Sequence, residues 1–339
     1  MTNVLLLLAL PEKFREFYNT ELRRDFPSLN FIPVDHVSKA EPYFPDMDVL
    51  VTFGPHLLDR AEHVFRSATR LKWVQALGTG VDNIAEIPTL RKDVVVTNIH
   101  GIHGTPMSEA CMAAMLCLAR EIPRLIRNQD QNHWDRFPCA LLDGRTAGIF
   151  GVGAIAQALA PRLKAMGMRV VGISSTPRSV PSFDEMRSRD DLINAVRDLD
   201  HLILLTPHTA QTHHIINAKL LSAMKPGSFI INLARGGVVD EDALIEALNN
   251  GLIAGAALDV FAKEPLPADH RFWAMKNVII TPHLGGLSHD SSRHTMPALA
   301  HNMKCFLAGD LDKMVNLVAR EGRRACRDDF RAYARMTRS

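Results

Sequence analysis

Thr146-Ala147-Gly148-Ile149-Phe150-Gly151-Val152-Gly153-Ala154-Ile155-Ala156 is the stretch on which the fold turns. Its first five residues make an apolar run of strand length. Gly151 and Gly153 interrupt it, and a helical pattern continues to about Gly167. A strand that passes through Gly-x-Gly-x-x-small into a helix is the phosphate-binding turn of dinucleotide sites. The first glycine permits the tight turn, the second lets backbone approach a pyrophosphate, and a small third residue, here Ala156, allows helix and strand to pack. The helix N-terminus adds free N–H groups and a partial positive charge. Gly151, Gly153, Ala154 and Ile155 are thus the first candidate cofactor contacts. A tight structural turn is the bland alternative, and the strand–loop–helix setting weighs against it.

Outward from this loop the pattern repeats. Upstream, Asn3–Ala9, Leu29–Val34, Met47–Phe53, Trp73–Ala76 and Val94–Thr97 read as strands, with helices such as Glu12–Phe26 and Leu57–Ser67 between them. Downstream, Arg169–Ile173, His201–Leu205, Phe229–Asn232, Ala254–Leu258 and Val278–Thr281 continue from Thr146–Phe150. Continuous apolar strands alternating with helices indicate parallel sheets covered on both faces. The expectation is an α/β chain of two doubly wound parallel-sheet domains. At about 100–200 residues per domain, 339 residues agree with two. Thr105–Ala119 lies between the sheets, with Thr105 as N-cap and Pro106 first in the helix. Its stretch Met107–Ala119 is apolar on nearly all sides and needs burial, between domains or against a second subunit. Ser288–Leu307 reads as a final helix that must pack on one of the two domains.

Composition excludes several classes. The hydrophobic fraction of 47% and charged fraction of 22% are ordinary for a globular chain. A net charge of +2 gives no global reason for a nucleic-acid or membrane partner. The tail from Arg320 to Arg338 holds seven arginines, but aromatic interleaving is limited to Phe330 and Tyr333, so a solvated tail is the simpler reading. No run reaches the length of a membrane span, and the apolar Val4–Leu10 lacks the basic flank of a signal peptide. Five cysteines without a Cys-x-x-Cys pair point to a reduced, cytoplasmic protein. The histidines show no metal-ligand spacing with acids, so no metal is expected.

The strand Arg169–Ile173 is the place for an acid that binds the adenosine ribose. Ser174, Ser175, Thr176, Pro177 and Arg178 stand there instead, and no Asp or Glu occurs from Gly144 through Phe183. A carboxylate would repel a 2′-phosphate, whereas hydroxyls and Arg178 accept one. Ser174, Ser175 and Arg178 therefore point to NADP in preference to NAD. The alternative is that Arg178 is a solvated loop cation and both cofactors bind.

Three further segments hold polar residues at predicted strand ends: Asn232-Leu233-Ala234-Arg235-Gly236-Gly237, Leu258-Asp259-Val260-Phe261 running to Glu264-Pro265-Leu266-Pro267, and Thr281-Pro282-His283-Leu284-Gly285-Gly286. Arg235 and Glu264 are 29 residues apart, Glu264 and His283 19. Singly, a buried His–Glu pair or an inter-strand Arg is often structural. Together, and with Ala76-Leu77-Gly78-Thr79-Gly80-Val81-Asp82-Asn83 and the dinucleotide loop, they resemble the D-isomer-specific 2-hydroxyacid dehydrogenases, the family of glyoxylate/hydroxypyruvate reductases and phosphoglycerate dehydrogenases. The resemblance runs from roughly Leu71 to Leu317.

The resemblance implies a flavodoxin-like substrate domain (1–103 plus 287–339) and a Rossmann cofactor domain (104–286), with the site in the cleft between them. It implies Arg235, Glu264 and His283 as catalytic residues acting on a small 2-oxoacid or 2-hydroxyacid. Arg235 clamps carboxylate and ketone with a rigid fork that lysine lacks. His283 as imidazolium donates the proton as charge develops on oxygen, and Glu264 orients the ring and favours its charged form. Backbone N–H groups of Leu77 and Gly78 hold the carboxylate. Thr79, Thr105, Pro207, Thr212, Ala234, Gly285 and Gly286 line the cofactor, and Asp259 holds the nicotinamide carboxamide. Glu264 argues against formate oxidation, since relatives with that activity carry glutamine there. Leu77 brings no cation, which disfavours a phosphorylated substrate. A homodimer through helix 105–120 follows the family, and Trp134 is read as packing or subunit contact. A reading of another class stays open: some relatives of this fold are cofactor-sensing corepressors that bind partner proteins.

Overall fold

The computed structural model describes residues 1–318. The arginine-rich run 320–338 and Cys326 lie outside the described residues, as do the side chains of Leu58, Asp82 and Asn83. The chain divides into two units, one formed by Met1–Ile102 with the segment from Ser288 onward, the other by His103–Leu287.

The first unit is a five-stranded parallel sheet of β1 (Asn3–Leu7), β2 (Asn30–Val34), β3 (Val49–Thr52), β4 (Trp73–Ala76) and β5 (Val95–Thr97), in the order β2-β1-β3-β4-β5. Its strands read as unbroken apolar runs because both faces are covered. Leu5, Leu7, Leu50 and Val74 face one core; Val4, Leu6, Val49, Val51 and Trp73 face the other. The helix Ser291–Ala308 returns to this second face, placing Leu299 and Met303 in its core. Two buried polar links fix the return. Tyr18 Oη lies 2.6 Å from Thr295 Oγ1. Asn302 donates to Gln75 Oε1 at 3.0 Å and accepts from Val315 N–H at 2.8 Å.

The second unit is a seven-stranded parallel sheet of β6 (Thr146–Phe150), β7 (Arg169–Ser174), β8 (Glu185–Ser188), β9 (His201–Leu204), β10 (Phe229–Asn232), β11 (Gly255–Leu258) and β12 (Val278–Ile280). Its order is β12-β11-β10-β9-β6-β7-β8. Strand order therefore reverses between β6 and β9, the position where doubly wound sheets bind ligands. Phe150 packs into one core, while Ala147 and Ile149 pack into the core shared with the helices Gly104–Ala119 and Ala154–Ala165.

Three elements differ from expectation. β8, Glu-Met-Arg-Ser, has no apolar pattern. It is an edge strand held by ion pairs, with Arg187 bonded to Glu185 at 2.7 Å and to Asp198 at 2.5 Å. The helix expected to be capped by Thr105 begins at Gly104 instead, with His103 in the N-cap position. Pro106 is tolerated because the whole first turn lacks intrahelical acceptors for its N–H groups. Gly104 also keeps the helix close to its neighbour: a Cβ there would stand 3.1 Å from Ala158 Cβ. The segment expected as one helix over Leu57–Ser67 is a 3₁₀ stretch, Gly54–Arg60, followed by the helix Ala61–Ser67.

Candidate active site

The loops leaving β10, β11 and β12 are stitched together by backbone and carboxylate contacts. After β10, buried Asn232 accepts from Ala234 N–H at 3.0 Å and donates to the Arg235 carbonyl at 3.1 Å. That staple shapes the turn presenting Arg235, whose Nη1 donates to the Ala234 carbonyl at 2.7 Å. Gly236 then allows the β11 loop to lie against it. A Cβ at 236 would fall 1.8 Å from the Phe261 carbonyl carbon, a position only glycine permits.

After β11, Glu264 is tied at both oxygens. Oε1 accepts from Phe261 N–H at 3.0 Å, and Oε2 lies 2.7 Å from His283 Nδ1. Burial works to raise the Glu264 pKa. The hydrogen bond and charge of His283, the Phe261 N–H and the nearby Arg235 guanidinium outweigh it, holding the carboxyl below its ordinary range. Glu264 is an anion beside the ring. With Nδ1 occupied by Glu264, His283 has only Nε2 to offer to a substrate.

After β12, His283 sits at φ 55°, a left-handed conformation uncommon for a residue with a side chain. Asp259 holds it there. His283 N–H donates to the Asp259 carbonyl at 2.8 Å. The Asp259 carboxylate accepts from Thr281 Oγ1 at 2.5 Å, Leu284 N–H at 2.8 Å and Gly285 N–H at 2.9 Å. Asp259 is 3% exposed. Three of the roughly four acceptor sites of its carboxylate are taken by the loop after β12, which leaves one on Oδ2 for the nicotinamide carboxamide expected there.

Thr212 is buried, and its hydroxyl donates to the Pro207 carbonyl at 2.7 Å while accepting from Thr209 N–H at 2.8 Å, so it shapes the loop after β9. Leu77 is buried and donates its N–H to the Thr52 carbonyl at 2.8 Å, extending the sheet; that donor is not open to a carboxylate. Gly78 N–H, next in the chain, has no acceptor among the described residues. Thr79 anchors the same segment through Oγ1 to the Ile99 carbonyl at 2.9 Å.

The β6 loop fits a dinucleotide. Gly151 has φ 102°, and a Cβ there would meet the Leu205 carbonyl group and Thr206 N at 2.7 Å. Gly153 differs: its backbone is extended, and a Cβ would meet nothing within 4 Å. No protein atom requires glycine at 153, which leaves open space at a helix N-terminus where phosphates are favoured. At the end of β7, Ser174 Oγ is buried without a hydrogen-bond partner among the described residues, whereas Ser175 and Arg178 are exposed. Ala234 lines the β10 turn and Gly285 packs on Asp259; Gly286 packs on His103. Asn232 and Thr281 are contributors that sequence reasoning missed. Their only local signal is a polar residue at the end of an apolar strand.

Among the described residues no group of three His, Cys, Asp or Glu is arranged to hold a metal, and no helix is long and apolar enough to cross a membrane.

Comparison with known proteins gives a consistent answer. The family described as D-isomer specific 2-hydroxyacid dehydrogenase, NAD binding domain, matches residues 112–285. D-3-phosphoglycerate dehydrogenase of Methanocaldococcus jannaschii is 36% identical over 276 residues, 80% of this chain but 52% of that one, so the chain spans about half its length. Glyoxylate reductase of Thermococcus gammatolerans is 32% identical over 322 residues, 91% of this chain and 93% of that one. Among solved structures, the NADPH-dependent glyoxylate/hydroxypyruvate reductase of Sinorhizobium meliloti, in complex with NADP and sulfate, superposes with a TM-score of 0.77 at 28% identity. It covers 94% of this chain and 98% of that one.

Proposed function

The chain belongs to the D-isomer specific 2-hydroxyacid dehydrogenase family, and we propose that it reduces glyoxylate to glycolate, or a similarly small 2-oxoacid to its D-2-hydroxyacid, with NADPH. The 2.7 Å contact of His283 Nδ1 with Glu264, beside Arg235, carries this reading. Bound NAD(P)H supplies the hydride that adds to the ketone carbon. Arg235 pairs with the substrate carboxylate and polarises the ketone. His283, protonated and steadied by Glu264, hydrogen-bonds the carbonyl oxygen through Nε2 and gives it the proton, so that oxygen becomes the hydroxyl on carbon 2 of the product. In the reverse direction the neutral ring accepts that proton. Gly78 N–H is the carboxylate donor left after Leu77 is spent in the sheet. The activities of the relatives favour an enzyme over a cofactor-sensing binder.

NADPH is preferred over NADH in this reading because Ser174 offers an unpartnered hydroxyl where an acid would repel a 2′-phosphate, with Ser175 and Arg178 beside it. In this reading a homodimer forms through the helix Gly104–Ala119, where Glu109, Ala113 and Leu116 are exposed, and through Trp134, which is 90% exposed. A reducing cytoplasm suits the free Cys111, Cys117, Cys139 and Cys305.

The test is initial rates of NADPH and NADH oxidation with glyoxylate, repeated with His283→Ala. The variant is expected to lose at least about a hundredfold in kcat, the scale of general acid catalysis. Full activity in the variant, or no oxidation by the native chain with any small 2-oxoacid, overturns the proposal.

A further inference from the structure

The loop after β11 carries Glu264, and two neighbouring N–H groups of that loop are each held by a carboxylate. Phe261 N–H is claimed by Glu264 itself. Ala262 N–H goes 2.8 Å to Oε1 of Glu241, 21 positions earlier, in the first turn of the helix Glu241–Asn249. Glu241 is not needed to close that helix. Asp240 caps it, accepting Ala243 N–H at 3.1 Å, and Asp240 N–H is fixed in turn on the Ile216 carbonyl at 2.9 Å. The helix start thus stands on a fixed base, and the half-buried Glu241 side chain is turned onto the neighbouring loop. Its second oxygen faces His270, with Oε2 3.5 Å from Nε2. His270 Nδ1 accepts Phe272 N–H at 3.3 Å, so the neutral ring holds its hydrogen on Nε2, on the side of the carboxylate.

The contact falls where two loops press together. A Cβ at Gly236 would stand 2.2 Å from Ala262 N as well as against the Phe261 carbonyl. Glycine at 236 lets the Ala262 peptide lie on the Arg235 turn, and Glu241 ties the same peptide to the helix that follows the turn. We propose that Glu241 is a positioning residue: by holding Ala262 N–H it fixes the stretch from which Glu264 reaches His283, and so sets the 2.7 Å contact on which proton donation depends. This rests on the dehydrogenase reading above. A backbone donor on a charged acceptor makes one of the stronger hydrogen bonds, and losing it frees the loop. The neighbouring acid supplies a control. Asp242 pairs with Arg271, further along the same loop, but it is 84% exposed and holds a side chain at the surface, where an ion pair contributes little.

The test is kcat for glyoxylate and Kd for NADPH in the full chain and its variants. Glu241→Ala is expected to lower kcat at least about tenfold, the scale of a small misplacement of a reacting group, with Kd for NADPH within about threefold of native. Glu241→Gln keeps an oxygen for Ala262 N–H, and Asp242→Ala keeps Glu241, so both should stay within about threefold of native kcat. A residue that acts through Glu264 has little left to lose once Glu264 is changed. Adding Glu241→Ala to Glu264→Gln should therefore cost less than about threefold beyond Glu264→Gln alone. Native kcat in Glu241→Ala, a failure of Glu241→Gln to restore it, or a full further loss on top of Glu264→Gln overturns the proposal. So does a loss of NADPH binding together with kcat, which marks a role in folding alone. In each of these cases the native chain still reduces glyoxylate, and this inference alone falls. If the native chain reduces no small 2-oxoacid with either cofactor, the dehydrogenase reading falls and takes the inference with it.

Discussion

Asp259 and His283 are joined through both the backbone and the side chain: the Asp259 carbonyl accepts His283 N–H at 2.8 Å, and its carboxylate accepts the N–H groups of the next two residues, Leu284 and Gly285. The left-handed backbone at His283 costs free energy that these bonds offset. Asp259→Asn turns one acceptor oxygen into a donor facing a buried N–H. The cost is about 1–3 kcal/mol at that loop. We expect kcat to fall at least about tenfold while the apo chain melts within a few degrees of native. A variant with native kcat would show that the loop holds His283 without Asp259.

The glycines at 236 and 153 should fail in opposite ways. A Cβ at Gly236 would stand 1.8 Å from the Phe261 carbonyl carbon, and backbone cannot yield as a side chain tip can. Gly236→Ala should lower stability by about 1–3 kcal/mol or more and separate the Arg235 loop from the Glu264 loop. A Cβ at Gly153 meets only open space. Gly153→Ala should leave the melting temperature of the apo chain unchanged and weaken NADPH binding at least about tenfold, because the methyl occupies the phosphate approach. Thermal melts with and without NADPH read both outcomes. Native NADPH affinity in Gly153→Ala would place the phosphates elsewhere.

Much of this architecture was legible because parallel strands covered on both faces are written as continuous apolar runs. Trp73–Ala76, Thr146–Phe150 and Phe229–Asn232 were read with the ends they have in the structure. β8 was not legible. Glu185-Met186-Arg187-Ser188 sits at an edge, and its partners Asp198 and Arg169 are distant in sequence. The three polar residues Arg235, Glu264 and His283 were found from motif and strand end together. The bonds that Asp259 and Leu77 make were not, because their partners lie in other segments, after β12 and in β3. A local pattern shows that a residue is polar; it does not show which segment has already claimed it.

Cofactor preference should turn on Ser174. Its Oγ is buried and unpartnered at the end of β7, and no carboxylate is nearby in sequence to claim the ribose hydroxyls. Ser174→Asp supplies an acceptor for the 2′- and 3′-hydroxyls of NADH and repels the 2′-phosphate of NADPH. The NADPH-to-NADH ratio of kcat/KM should drop by about tenfold or more, corresponding to about 1.4 kcal/mol. A ratio that does not move would place the 2′-phosphate contact on Arg178 alone, and Arg178→Ala would then carry the loss.

Acid stability should be limited by two imidazoles, the buried His201 and the half-buried His56. His201 stacks on Phe229, its ring centroid 5.3 Å away, with Nδ1 buried and without a partner among the described residues. Burial, only partly opposed by Asp200, lowers its pKa from 6.5 to about 4, and burial does the same for His56. In the unfolded chain each ring takes up a proton near its ordinary value; in the folded chain it does not until about pH 4. Between these values the unfolded state binds more protons, so stability rises with pH across the window. It is fully present above about 6.5 and is lost as pH falls through about 4, by about 3 kcal/mol for each ring. His201→Phe removes one of the two titrations and keeps the stack on Phe229. Urea midpoints measured from pH 7 to pH 4 should therefore fall less steeply in the variant than in the native chain. At pH 7 the variant should be no less stable, since the unpartnered Nδ1 is gone. If the two chains lose stability in parallel, His201 is protonated in the folded state and the burial argument for it is wrong.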